Sequence, residues 1–212
     1  MTLNEISYMI LELIRQGHIV DDEDLDLRII YKFLETKRVE FIRSQIERRY
    51  RMSPNCTQEL TLDVTPVVIN SERYLIAENV PSFLNTRFGL AIETISTDTY
   101  KNIMFKHVSS VELPYVGNGR FNKGIVYGAY DHGKMVFKSK NFESLLIDRI
   151  SVIGVLNDPT QHPDFDPDVT EYPIDSDGIE YIKKEALSSD IRIFLNGIPD
   201  TFNDASGDVK NQ

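Results

Sequence analysis

The chain is 212 residues long, with 41% hydrophobic and 26% charged residues, a formal net charge of -10 and one cysteine. This length suits one domain, or one domain with an appended arm, and is enough to bury a core. No run approaches the ~18 apolar residues of a membrane span, a lone cysteine excludes an intrachain disulfide and fits folding in a reducing cytosol, and the acidic balance argues against nucleic-acid binding over the whole surface.

Residues 2–16 read as a helix. Thr2 and Glu5 form a T-x-x-E capping box, and Leu3, Ile6, Ile10, Leu13 and Ile14 recur at helical spacing. Arg15 favours the carbonyl end of the helix dipole and Gly17 supplies the stop. An amphipathic opening that carries Glu5 is not a signal peptide.

A second helix follows the acidic cluster Asp21, Asp22, Glu23 and Asp24 and runs to about Arg51, short of Pro54. Its apolar residues do not keep to one stripe. Leu27, Ile30, Phe33, Leu34 and Phe41 share one side, and Val39, Ile42 and Ile46 lie on the other. Such a helix either touches two bodies, its own core and a neighbouring subunit, or breaks near Thr36 so that each piece faces one core.

The middle of the chain is strand-like. Residues 59–64 alternate polar and apolar until Pro66 interrupts; Val67 to Ile69 and Tyr74 to Ile76 flank a turn at Asn70, Ser71 and Glu72. Residues 98–105 read as a short helix or an extended segment, and Val108 to Leu113 as a strand closed by Pro114. Residues 124–130 and 134–138 form a hairpin through a three-residue loop, Asp131, His132 and Gly133. A late strand lies within 145–156.

Residues 158–177 are rich in Asp and Pro and read as loop, followed by a third helix over about 176–188 with Ile179, Ile182 and Leu187 inward. Ile191, Ile193 and Leu195 then alternate, joined by Phe194 and Phe202, before a polar tail with too little apolar content to fold alone. The expected class is α+β: an N-terminal helical body of two helices (1–56), a central, mainly antiparallel β region (57–157), an acidic loop with a short C-terminal helix (158–189), and an extended or disordered arm (190–212). No internal repeat is present.

The charge is unevenly placed. Between Arg28 and Arg51 eight basic residues, Arg38, Arg43, Arg48 and Arg49 among them, stand against three glutamates; from Asp158 onward thirteen acidic residues stand against four basic ones. Either these are a solvated basic helix and a solvated acidic tail, or they steer copies into head-to-tail or side-by-side contact.

Catalytic and metal chemistry find no anchor. His18, His107, His132 and His162 show no paired spacing, and one Cys cannot build a cysteine-rich zinc site. Cys56 itself reads as a passive loop or core residue, with a reactive thiol as the weaker alternative. Asp164, Asp166, Asp168 and Asp175 imitate a calcium loop, but Val169 stands where the sharp turn needs glycine, and the bidentate Glu is missing. Gly117, Gly119, Gly124, Gly128 and Gly133 lie among strand residues rather than at a helix start, so turns and bulges explain them. The expectation is a non-enzymatic assembly protein without cofactor, metal or membrane partner. A small acid–base hydrolase built on clustered carboxylates is the remote alternative, and it requires a deep pocket with convergent titratable groups.

The stretch from Met1 to Gly17 (MTLNEISYMILELIRQG) resembles the opening of a virion protein family of crAss-like phages. Asp22, Glu23 and Asp24 with Ile29 and Ile30, then Phe41, Ile42 and Arg43, are similar too, as are Tyr172, Pro173 and Ile174 and the short helix carrying Lys183, Lys184 and Glu185. The resemblance covers about the first fifty residues well and the last forty less closely. It implies a ring protein of the head-to-tail connector, a neck adaptor beneath the portal. It further implies folding in the host cytoplasm before assembly into the virion as a homo-oligomer, usually of twelve copies, through which the genome passes without sequence-specific binding. Tail-hub and stopper components share this sequence character and stay open. On this reading Arg38, Arg43, Arg48 and Arg49 contact the adjacent subunit or the portal. Ile191, Phe194, Leu195 and Phe202 order on assembly in a groove of the next ring.

Overall fold

The computed structural model describes residues 1–15, 27–49, 53–69, 71–97, 104–117, 124–140 and 147–188. Helix α1 spans Leu3–Arg15. The capping box closes as expected: the Thr2 amide donates to Glu5 Oε2 (2.9 Å) and the Glu5 amide to Thr2 Oγ1 (3.2 Å). Leu3, Ile6, Ile10 and Ile14 are buried. Helix α2 spans Leu27–Arg49 without a break at Thr36, whose hydroxyl bonds back to the Lys32 carbonyl (2.8 Å). Helix α3 spans Ser176–Ser188. Its inward face is Gly178, Ile182 and Ala186, with Ile179 half-buried, whereas Leu187, expected inward, is exposed.

The β region holds two main sheets. Strands β1 (Gln58–Asp63), β6 (Ile92–Ser96) and β10 (Arg149–Gly154) form an antiparallel sheet in the order β1-β10-β6. Strands β2 (Thr65–Ile69), β3 (Glu72–Ala77), β7 (Met104–His107), β8 (Ile125–Asp131) and β9 (Lys134–Lys138) form the second, ordered β2-β3-β9-β8-β7, with only β7 and β8 parallel. A two-stranded hairpin, β4 (Asn85–Thr86) and β5 (Gly89–Leu90), stands apart.

Two turns differ from expectation. Asp131 pairs with Lys134, so the loop between β8 and β9 has two residues, His132 and Gly133, both at positive φ (46° and 78°). Two left-handed residues match the twist of the flanking strands. Val108 to Leu113 is not a strand. Ser109 and Glu112 cap each other's amides (3.2 and 3.3 Å) and fold the segment into turns. Pro66 lies inside β2 rather than ending it, which an edge strand tolerates.

The main core fills the space between the sheets: Leu60, Leu62, Ile150 and Val152 from one meet Leu75, Val126, Met135 and Phe137 from the other. A second cluster joins α1, α3 and the first half of α2 (Ile30, Leu34) with Tyr172 and Ile174. A third ties the second half of α2 (Phe41, Ile42, Ile46) to Cys56, Leu84, Ala91 and Val155 beside the smaller sheet. Helix α2 therefore does touch two bodies, but both belong to this chain. Its buried positions, Ile30, Leu34, Phe41, Ile42 and Ile46, form one arc of about 160° at ~100° per residue, not two opposed stripes. The buried apolar positions of α2 are consumed within the molecule, while Ile29 stays exposed.

Gly154 marks a tight seam between these clusters. A Cβ there would sit 2.7 Å from the Ala91 carbonyl and 3.0 Å from the Phe83 ring, next to the 2.9 Å bond from the Val155 amide to that carbonyl. Because backbone cannot swing aside, Gly154→Ala is expected to lower stability by about 1–3 kcal/mol, read as a shifted urea midpoint.

Candidate interaction surfaces

The exposed end of α2 is built jointly with the β4–β5 hairpin. Gly89 (φ 106°) permits the tight turn, and the Thr86 hydroxyl accepts from the Phe88 amide (3.2 Å) while donating to the Gly89 carbonyl (2.8 Å). The hairpin is pinned to the helix by Arg87, which donates through Nη2 to the Glu47 carbonyl (2.7 Å) and through its amide to Glu47 Oε1 (3.3 Å). Its guanidinium lies 4.6 Å from the Phe88 ring centroid. Arg43 donates to the Asn85 carbonyl (3.2 Å). Arg43 and Arg48 are both exposed, and Arg48, Arg87, Glu47 and Ser44 line an open groove of about 550 Å³.

The opposite end of α2 carries the acidic loop. Asn4 links the two by accepting from the Tyr31 hydroxyl and donating to Asp168 Oδ1, while its amide bonds to the Pro167 carbonyl (3.2 Å). Asp166 closes its own turn, accepting from the Asp168 amide (2.9 Å). Asp164, Asp166, Asp168 and Glu171 are exposed, and nearby Lys32 is paired with Glu35 (2.8 Å). Seventeen helical residues separate Tyr31 from Arg48, about 25 Å at ~1.5 Å per residue. One rigid helix thus separates a basic patch from an acidic one.

Arg38, expected as a contact residue, is fully buried and belongs to neither patch. It sits on the inward arc of α2, and its fork bonds to the carbonyls of Pro173 (2.9 Å), Leu156 (2.8 Å), Cys56 (3.4 Å) and Asn157 (3.5 Å). The Tyr172 ring centroid lies 5.7 Å from its guanidinium. Burial lowers its pKa, and Tyr172, Cys56 and Asp158 oppose that shift; a guanidinium remains charged regardless. The same burial pushes the Tyr172 hydroxyl up to about 12. Arg49 ends α2, and its side chain lies outside the described residues, as do Ile191, Phe194, Leu195 and Phe202. The sequence reading missed Arg87 and Phe88, which fall outside the basic stretch; the only local signal was Gly89, two residues after Arg87.

A second open groove, of about 470 Å³, gathers Glu35, Glu40 and Asp158 near Arg43. These carboxylates are already engaged, Glu35 by Lys32, Glu40 by Lys37 (2.9 Å) and Asp158 by the Thr160 amide (2.9 Å). Lys37 also reaches Glu185 (3.1 Å), riveting α2 to α3. The groove is therefore structural rather than a pair of free acids.

Lys138 is nearly buried beneath β3, donating to the Pro114 carbonyl (2.9 Å) and pairing with Glu72 (2.8 Å). That bond, with the Tyr74 hydroxyl, holds the Glu72 carboxyl below its ordinary range. A depressed carboxyl pKa stabilises the fold above the unfolded value, near 4.5, and the contribution disappears as pH falls through the folded value. Urea midpoints taken across the acid range should show a shallower loss in Glu72→Gln than in the parent chain.

The comparisons with known proteins bear on these surfaces. Residues 5–209 match the family model described as phage tail ring protein 2, a family named for crAss-like phages. The chain belongs to that family. It is thus a phage tail ring protein, a structural component of the virion ring. No curated protein matches it. Among the described residues, no helix of this ring protein is long and apolar enough to cross a membrane.

Proposed function

We propose that this ring protein is a non-enzymatic subunit of the head-to-tail connector, stacked beneath the portal and lining part of the path of the genome. The observation that carries the reading is the opposition of charge along α2. Arg43, Arg48 and Arg87 stand at one end, with Asp164, Asp166, Asp168 and Glu171 at the other. A cyclic ring joins unlike patches, so each subunit needs two complementary surfaces facing in different directions. The basic end of one copy meets the acidic loop of the next, and closure fixes the copy number at the twelve expected of such connectors. The net charge of -10 keeps a DNA conduit from gripping the duplex.

The 190–212 arm reaches a neighbouring subunit and orders there. The test is the mass of the purified full chain with and without the portal protein. A ring-sized assembly alone or on the portal is the expected result, and a monomer under both conditions would sink the reading. A tail hub or stopper shares the ring character but crosslinks to tail proteins rather than to the portal.

A further inference from the structure

We propose that the outer edge of β2 receives residues 191–195 of a second copy as an added strand. The inference rests on the reading of the chain as a ring subunit and names the receptor of its arm.

The receptor is an edge of unusual composition. β2 reads Thr65-Pro66-Val67-Val68-Ile69, with no charged residue, and every position is exposed. Val68 is 64% exposed and Ile69 44%. Edge strands ordinarily carry lysines, bulges, charged inward residues or a proline that discourage pairing, and of these β2 carries only Pro66, which leaves Val68 as its outward N–H donor between Pro66 and Ile69. Among the described residues β2 has one strand neighbour, β3.

The register fixes which backbone groups are open. Ile69 pairs with Glu72 across a two-residue loop, which makes it a hydrogen-bonded pair. Val67 opposite Tyr74 and Thr65 opposite Ile76 are then hydrogen-bonded as well. Alternation turns the N–H and C=O of Val68 outward, together with the C=O of Pro66. Proline thus stands where an inward N–H is not needed.

The occupant is argued from the chain beyond α3. Residues 191–195 read Ile-Arg-Ile-Phe-Leu, alternating, unbranched by glycine or proline until Gly197 and Pro199. Five residues match the five of β2. Ile191, Ile193 and Leu195 share one face, fitting beside Val67 and Ile69, and Phe194 lies on the other, beside Val68. The segment starts three residues after Ser188, so it begins within about 10 Å of the end of α3 at ~3.3 Å per residue. The elements packed on α3 are α1 and α2, while β2 packs on β3 at the edge of the larger sheet. On the ring reading the edge that receives the segment belongs to another copy. Main-chain bonds supply affinity in such a joint and the alternate side chains supply register.

The test uses full-length chains. One preparation carries Val68→Cys, another Phe194→Cys, with Arg192→Cys as a same-face alternative and Ser206→Cys as a control; buried Cys56 is common to all. Laterally paired Cα atoms at ~5.5 Å lie within disulfide reach. Circular dichroism confirms folding of each. Mixing Val68→Cys with Phe194→Cys or Arg192→Cys under mild oxidation should give an interchain disulfide well above the Ser206→Cys control. In a further chain carrying both Val68→Cys and Phe194→Cys, a disulfide that forms only within the chain overturns the inference, as does a yield in the mixture no higher than the control. Rings that assemble without the disulfide would leave the connector reading standing and remove only this joint.

Discussion

Arg38→Ala is expected to destabilise the fold by about 3–5 kcal/mol, the largest loss of any single substitution in α2. The side chain is fully buried and satisfies carbonyls from three separate segments: Cys56 before β1, Leu156 and Asn157 after β10, and Pro173 before α3. Truncation leaves those acceptors in the interior without a donor, at about 1–3 kcal/mol for each one that water does not reach. It also empties a volume next to Tyr172. Arg38→Lys should recover only part of the loss, since an ammonium is a point charge and cannot span the fork. Arg43→Ala, one and a half turns further along the same helix but exposed, should cost less than about 1 kcal/mol. Urea unfolding with an unchanged m-value measures all three. An Arg38→Ala midpoint close to that of the parent chain would mean that the three segments are joined by something other than this guanidinium.

Arg38 also shows where sequence reasoning succeeds and where it stops. The capping box, the run of α2, the third helix and most of the antiparallel strands follow from local chemistry, because caps, helical spacing and turn residues act over three or four positions. Arg38 was legible in principle: at ~100° per residue it falls between Phe41 and Ile42 on the buried arc of α2. Counted as one of eight basic residues in a stretch, it was assigned to the surface, since a tally of charge carries no direction. The carbonyls it serves lie more than a hundred residues away in two of the three segments, and nothing near position 38 announces them. The two apolar sides of α2 misled for the same reason. A helix that passes from a helical cluster to the end of a sheet needs a wide buried arc, and the second body proved to be the chain's own β region. Arg87 was invisible because its place beside Arg48 depends on how a six-residue hairpin docks.

Reversing the charge of either end of α2 should break ring formation, and mixing the two reversed chains should restore contact between them. The exchanged positions are Arg43 and Arg48 at the basic end, and Asp164 and Glu171 in the acidic loop; of these Arg43 bonds to the Asn85 carbonyl (3.2 Å) and Glu171 lies 3.6 Å from the N-terminal amine. Arg87 and Asp168 hold their own local structure and are left intact. Arg43→Glu with Arg48→Glu places four charge units of change opposite an acidic neighbour. Exposed rim pairs contribute ~0.2–1 kcal/mol each, and like charges repel by a similar amount, so two reversals together cost ~0.8–4 kcal/mol and weaken association by about 4- to 700-fold. Asp164→Lys with Glu171→Lys should do the same from the other side. A mixture of the two variants regains the attractive contact at every junction where reversed acidic loop meets reversed basic end. The outer ends of such a pair, an unaltered acidic loop and an unaltered basic end, carry opposite charge, so alternating copies can extend and close a ring of even copy number. Sedimentation would then show monomer for each variant alone and ring-sized assemblies for the mixture. The mixed assembly should weaken as salt rises and the screening length shrinks below ~10 Å. Full rings from either variant alone would show that the polarity of α2 is a solvated feature and that ring closure rests on other surfaces.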